Sequence, residues 1–527
     1  MPRTLVAALA TVALLLASCS SSDDGADDGA ADPDRTTAGT EADTEETTTS
    51  LPAAVASTFA EEPCWWELPA DAPAGVTVTC GTVEVPSDAT DPDSEPVTLA
   101  VARVHGGGDP EAEPVISLHG GPGGDALVGP PTGLMGLDIL DERDVITFDQ
   151  RGAGRSMPSL NCPEKEEAIL DTLAAADPWE DEYAANLDAV TACYERLTED
   201  EGIDLDQYDT PASVQDIEVL RETFGVEAWN VWGASYGTRL GLDYARTHPD
   251  RVRSLVIDSV YAPDAGGVER TKALPQGALD RLAEACAAEE ACAAAYGDLG
   301  AAMVEAADAM DADPEELTGT VTLDGEEVER DFVLTGTDVR AGLFAALYDS
   351  ELIPLLPSVV AAVASGDRAI LPQFVDVGVP RLLDLSEGAF YSVDCADSGR
   401  SLEGADVEAE LAAAPEDALI ALNSAQVFCA DWPVEHVPEA FNEPVTVDVP
   451  TLVYGGTLDP ITPFVDSEAQ AGIMPDARFV AVPNAGHGAA ATDDCTRSAR
   501  DGFWRDPTAD LPSCLDELVA PPFVVGG

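Results

Sequence analysis

Ala228-Trp229-Asn230-Val231-Trp232-Gly233-Ala234-Ser235-Tyr236-Gly237-Thr238 is the stretch on which the reading of this chain turns. Its first half is mostly apolar, as a buried strand requires, and residues 239–246 continue with helical spacing. Between them stands a serine flanked by glycines two positions away on each side. A serine on a sharp strand-to-helix turn needs small residues at those places, because side chains there would run into the crossing backbone. Such a turn lifts the hydroxyl above the strand ends and aims the next helix's N-terminus at any negative charge developing beside it. Ser235 is therefore the candidate nucleophile.

Working outward, short β-branched runs bounded by Gly, Pro and Asp alternate with longer helical stretches. That is the pattern of a mostly parallel sheet covered by helices. Strands are expected near residues 76–85, 97–104, 114–118, 144–148, 228–232, 254–258, 450–454 and 478–482, about eight in all. The alternation breaks between residues 262 and 444, where Ala-, Leu- and Glu-rich segments such as 278–295 and 338–347 have helical period. This reads as a mostly helical lid inserted into a catalytic core formed by residues 61–261 and 445–527. A smaller excursion, 158–206, is expected to be a helical hairpin.

Of five histidines, His105 and His119 precede the serine, His248 ends its helix and His436 lies before the last two strands. His487 follows the final strand, in Pro483-Asn484-Ala485-Gly486-His487-Gly488. Where the chain order is serine, acid, histidine, this one is the candidate base. The candidate acid is Asp459, in Tyr454-Gly455-Gly456-Thr457-Leu458-Asp459-Pro460, at the end of the penultimate strand. It would fix the imidazole tautomer and stabilise the imidazolium. Asp258, ending the strand after the nucleophile, is the rival acid. The turn His119-Gly120-Gly121-Pro122-Gly123-Gly124 offers backbone N–H groups to an oxyanion. Gly121 and the Tyr236 amide are the candidate donors, each worth about 2.7–4 kcal/mol in a transition state.

Residues 1–19 read as a signal peptide: Arg3, then an apolar run over residues 5–17, then small residues. The run is too short to span a bilayer. Its end, Leu16-Ala17-Ser18-Cys19, has the form of a bacterial lipobox, which makes Cys19 a candidate for acylation. Residues 20–60 are expected to be an acidic tether, since their composition cannot bury enough surface to offset ordering entropy. Without Cys19, ten cysteines remain, an even number in an exported chain. Neighbour pairing is one of many possibilities: Cys64–Cys80, Cys162–Cys193, Cys286–Cys292, Cys395–Cys429 and Cys495–Cys514. No clustered Cys/His set of zinc-binding form appears, and neither a metal nor a cofactor is expected. With 100 acidic against 25 basic residues and a formal charge of -75, nucleic acid is excluded as the main partner. Adaptation to high salt is one reading of that charge, and a solvated acidic surface is the plainer one.

Taken in order, the glycine-rich turn, Asp149-Gln150-Arg151-Gly152-Ala153-Gly154-Arg155-Ser156, the serine turn, the Asp459 loop and Gly486-His487-Gly488 resemble the prolyl and tripeptidyl aminopeptidase branch of the α/β-hydrolases. The likeness covers roughly residues 60–515. It is strongest to exported tripeptidyl-aminopeptidase-like enzymes of actinobacteria, many of them envelope lipoproteins. The resemblance implies an α/β-hydrolase fold and a serine exopeptidase that releases short N-terminal peptides or residues through an acyl-enzyme. It also implies carboxylates near the lid that bind the substrate's α-amine, for which Asp394 and Asp397 are candidates, and a supporting role for Thr462. A carboxylesterase or lipase-like hydrolase would use the same machinery on small esters. The expected partners are thus a peptide or small ester, and a membrane through the lipid on Cys19. The expected location is extracytoplasmic, and the oligomeric state is left open.

Overall fold

The computed structural model describes residues 57–526 apart from 71, 89, 92–93, 110–111, 264–267, 324–325 and 403–405. The signal peptide, Cys19 and most of the tether lie outside the described residues. At the tether's expected end, the amide of Ser57 donates to the Thr223 hydroxyl at 3.0 Å and Phe59 packs on Phe224. The folded part therefore begins slightly before residue 61.

Nine strands form one sheet. In chain order they are β1 (Ala60–Glu62), β2 (Thr77–Pro86), β3 (Pro96–His105), β4 (Val115–Leu118), β5 (Val145–Phe148), β6 (Trp229–Ala234), β7 (Val252–Asp258), β10 (Thr451–Gly456) and β11 (Ala477–Val482). Between β7 and β10 in sequence lies a separate two-stranded hairpin, β8 (Glu315–Leu323) and β9 (Glu326–Leu334). The order across the sheet is β1-β2-β3-β5-β4-β6-β7-β10-β11. The first three pairings are antiparallel and the remaining five parallel. All eight expected strands are present, and β1, an exposed three-residue edge, is the ninth.

The central strands are short and apolar on both faces because helices cover both. Every residue of β5 and of β10 is buried. A core of Val, Ile and Leu from β2–β7 packs against the buried faces of helices Thr210–Phe224 and Tyr236–Thr247. The excursion after β5 is a pair of helices, Pro163–Leu173 and Trp179–Glu195, joined by Cys162–Cys193. The other four bridges are Cys64–Cys80, Cys286–Cys292, Cys395–Cys429 and Cys495–Cys514.

The segment between β7 and β10 is mostly helical, including Val268–Ala288, Leu299–Ala312, Gly336–Ala346, Leu371–Leu382 and Glu387–Ser398. It has an apolar core of its own, built around Leu282, Met303, Leu343 and Val360. The β8–β9 hairpin departs from the helical expectation. Its signal is in the sequence: Thr318, Thr320 and Thr322 alternate with Leu317 and Val321, and Asp324-Gly325 follows, a preferred hairpin dipeptide.

Candidate active site

Five connections at the carboxyl ends of the parallel strands converge, as ligand-binding loops do in open α/β sheets. Leu118 of β4 leads into the glycine-rich turn, Ala234 of β6 into Ser235, Asp258 ends β7, β10 leads to Asp459 and β11 to His487.

Ser235 has φ 56° and ψ −128°, a strained conformation for a residue with a side chain. The flanking glycines make it possible. A Cβ on Gly233 would stand 2.1 Å from the carbonyl oxygen of Gly237, and one on Gly237 would stand 2.2 Å from that of Leu118. The turn is held from below, where the Ser235 amide donates to the Asp258 carbonyl at 3.1 Å. The Thr238 hydroxyl donates to the Ser235 carbonyl at 2.6 Å. The glycine-rich turn lies against this elbow, since a Cβ on Gly120 would come within 2.8 Å of the Ser235 Cβ.

His487 Nδ1 lies 2.9 Å from Asp459 Oδ2. That oxygen also accepts from the Thr462 hydroxyl at 2.9 Å, while Oδ1 accepts from the amides of Ile461 and Thr462, both at 3.0 Å. The carboxylate is fully buried and its lone pairs are occupied. Burial alone would raise Asp459, but the charge and hydrogen bond of His487 outweigh it and hold the carboxyl below its usual range. The imidazole is the mirror case. Burial depresses it, the carboxylates of Asp459 and Asp258 outweigh burial, and the net shift is upward.

Asp258, the rival acid, has a different task. Its two oxygens accept from the amides of Ala489 and Ala490 at 2.8 and 2.7 Å, so it caps the short helix that follows His487. Ser259 Oγ accepts from the Gly488 amide at 2.9 Å. The end of β7 thus braces the base loop from behind.

Ser235, Gly121, Thr462 and His487 line one cavity of about 890 Å³. The Tyr236 amide opens the helix beside it. Its side chain points away, with the hydroxyl 2.7 Å from Thr210 Oγ1. Asp394 also lines the cavity and accepts from the Tyr261 hydroxyl at 2.6 Å. Asp397 does not reach the cavity, contrary to its proposed place on the amine site. It is buried behind it, 2.8 Å from Arg239 Nε, with the Thr210 hydroxyl donating to the same oxygen. One turn of helix separates it from Asp394, which puts the two carboxylates on different neighbours.

Two cavity residues gave no sequence signal of their role. Glu387 is 4% exposed, and neither carboxylate oxygen meets a well-aligned hydrogen-bond donor. Burial pushes it up to about 8. Lys165 is equally buried, bonded to Asn186 and the Leu422 carbonyl, and burial brings it down to about 7. Lys165 is one of only two lysines in the chain, the one hint available beforehand. The role of Glu387 depends on the packing of the helix that begins there.

Comparison with known proteins agrees with this architecture. A family model described as alpha/beta hydrolase fold matches residues 113–293, and one described as TAP-like protein matches residues 419–514. A tripeptidyl aminopeptidase of Streptomyces lividans is 31% identical over 216 residues, 38% of this chain and 38% of that protein. The chain thus matches well under half the length of that relative. Serine protease Hip1 of Mycobacterium tuberculosis is 27% identical over 419 residues, 73% of this chain and 77% of the relative. A crystal structure of proline iminopeptidase from Mycobacterium smegmatis aligns at TM-score 0.38 and 16% identity, covering 81% of this chain and 98% of the other. By its sheet order and serine elbow the chain has the α/β-hydrolase fold, and in sequence it is similar to tripeptidyl and prolyl aminopeptidases.

Proposed function

We propose that this protein is a serine exopeptidase that removes residues or short peptides from the N-termini of peptide substrates. Ser235 Oγ attacks the scissile carbonyl carbon while His487 takes its proton. The Gly121 and Tyr236 amides receive the oxyanion, and His487 returns the proton to the departing amine. Water then attacks the acyl-Ser235 ester with His487 again as base, which frees the serine and the released peptide's carboxylate. Asp459 holds the imidazole in the tautomer with Nδ1–H directed at it and stabilises the imidazolium.

One observation favours a peptidase over an esterase. The cavity holding Ser235 and His487 also contains Glu387, a buried carboxyl without a well-aligned partner, and Asp394. The charge of Lys165 acts on Glu387, but a buried carboxyl short of a well-aligned donor is still costly until one is supplied. The ammonium group of a free peptide N-terminus supplies both charge and donors, whereas a simple ester supplies neither. The test compares free and N-acetylated peptidyl reporter substrates, with wild type and Glu387→Gln. Free-amine substrates are expected to be turned over at least about 100-fold better than acetylated ones, the scale set by one lost charged hydrogen bond. Glu387→Gln should erase most of that preference. Equal turnover of acetylated peptides or plain acyl esters, with Glu387→Gln unchanged, would establish the esterase reading instead.

We further propose that the protein is exported and held at the membrane by acyl chains on Cys19. The support is the sequence Leu16-Ala17-Ser18-Cys19 after an apolar run. Each buried methylene contributes about 0.8 kcal/mol, so more than one chain is needed for stable anchoring. Cys19→Ala should move the protein from the membrane fraction to the soluble one. An unchanged distribution would rule the anchor out.

A further inference from the structure

Three loops of the site, those of the oxyanion turn, the acid and the base, are fastened to the segment inserted between β7 and β10. On the oxyanion side, the Ser386 amide donates to the Gly123 carbonyl at 2.9 Å, and a Cβ on Gly123 would lie 2.7 Å from the Ser386 carbonyl oxygen. On the acid side, Arg281 Nη2 donates to the Asp459 carbonyl at 2.7 Å. Leu458, next to that acid, is buried in the insertion's own apolar core.

The contact is closest at the base. The turn after helix Gly336–Ala346 meets the His487 loop backbone to backbone. The His487 amide donates to the Tyr348 carbonyl at 3.1 Å, and the Gly486 amide donates to Ser350 Oγ at 2.9 Å. A Cβ on residue 486 would stand 2.1 Å from the Leu347 carbonyl oxygen, so this approach requires glycine. The Tyr348 ring lies 5.0 Å from the imidazole, tilted 58°, and the Arg381 guanidinium covers the tyrosine at 5.0 Å. Asp459 fixes the imidazole at one nitrogen only. Tied by its Cβ–Cγ bond and through Nδ1, the ring keeps a small rotation about its side-chain bonds, and the neighbouring Tyr348 ring limits that rotation on its side.

We infer that the turn 347–350 is a positioning element for the base, with Tyr348 the residue that sets the orientation of the His487 imidazole toward Ser235. The inserted segment is then part of the catalytic framework at this edge. Substrate entry has to proceed without displacing this turn, since moving it would carry the base loop along. The inference rests on the Ser235–His487–Asp459 reading proposed above.

The experiment uses the whole protein and a small uncharged fluorophosphonate, which reports nucleophile activation without engaging a peptide subsite. Tyr348→Ala is expected to slow Ser235 labelling and to lower kcat for a peptide reporter by about 10- to 100-fold each, the scale of an ångström-sized misplacement. KM should change by less than about threefold. Tyr348→Phe keeps the ring and should restore both rates to within about twofold of wild type. Ser350→Ala, which removes only the acceptor for Gly486, should slow labelling by about three- to tenfold, a lost hydrogen bond's worth. If Tyr348→Ala does not fold, Ser350→Ala still decides the matter. Wild-type labelling rates in Ser350→Ala and in any folded Tyr348→Ala would overturn the assignment, and a defect confined to KM would make Tyr348 a wall of the substrate site only. Labelling that persists in Ser235→Ala would refute the serine reading itself, separately from this inference.

Discussion

Arg239 Nε lies 2.8 Å from Asp397 Oδ2, and both side chains are almost completely removed from solvent. The pair joins the helix that begins behind Ser235 to helix Glu387–Ser398 of the insertion. Asp243 stands 3.9 Å from the same guanidinium, and Asn442 accepts from its Nη2 at 2.7 Å. Removing Asp397 leaves the buried guanidinium only the more distant Asp243 as counter-charge. Asp397→Ala is therefore expected to cost about 3–5 kcal/mol, read from guanidinium unfolding with the disulfides intact. The half-exposed pair Arg505–Glu142 provides the contrast, and Glu142→Ala should cost less than about 1 kcal/mol. Equal effects at the two places would show that burial does not set the cost.

Ser235→Ala and His487→Ala should each lower kcat by roughly 10⁴- to 10⁶-fold, because the proton relay fails when either member is missing. Both side chains sit at the cavity wall, so melting temperatures should stay close to wild type. Retained turnover in either variant would remove that residue from the mechanism.

The imidazole of His487 carries a net upward shift, with Asp459 the strongest influence opposing burial. It must be neutral to accept a proton, so kcat/KM should fall as pH drops through a midpoint above 6.5, the ordinary histidine value. Asp459→Asn removes the raising charge and should bring the imidazole's titration lower. With only five histidines in the chain, a ¹³C-histidine NMR titration can follow that residue directly. A midpoint that stays put in Asp459→Asn would mean that the carboxylate does not govern it.

Beneath the glycine-rich turn, Asp149 is buried with the carboxyl of Asp125 beside it. Asp149 also accepts from the amides of Leu127 and Arg155, at 2.9 and 2.8 Å. Burial first, and then the charge of Asp125, push Asp149 up to about 8. A carboxyl raised in the folded state contributes stability that is complete below its unfolded value, near 3.8, and is lost as pH rises through the folded one. The melting temperature should accordingly decline as pH rises from about 4 toward about 8, and level off above that. Asp125→Asn, whose amide donates without titrating, should flatten that decline. An unchanged slope between those pH values in the variant would place its origin elsewhere.

Gly233→Ala should abolish soluble expression, since its Cβ would meet backbone at 2.1 Å with nowhere to move. Gly472→Ala has no atom within 4 Å of the new Cβ and should behave as wild type. Soluble, active Gly233→Ala would contradict the elbow geometry.

Much of the site was legible in the sequence because its signals are local. The glycines around Ser235 are required by backbone contacts within a few residues or across one neighbouring strand. Central strands such as β5 and β10 announced themselves because burial on both faces demands apolar runs, while β2 showed itself by β-branched residues alternating between buried and exposed. The β8–β9 hairpin was not singled out within the mostly helical insertion, its alternation lying between helices on both sides. Asp459 and His487 were placed by chain order, but Asp258 remained a rival until the structure showed its oxygens on the Ala489 and Ala490 amides.

What the sequence determined by itself was the set of groups able to do the chemistry and the strands that carry them, since propensity and period act over a few residues. Which carboxylate meets the imidazole, which acid is left without a well-aligned donor in the cavity, and that Tyr348 lies against the base were decided only by tertiary packing. Those contacts join residues more than a hundred positions apart in several cases. Their energies depend on burial and on which charge is nearest, and neither exists until the insertion has closed on the sheet.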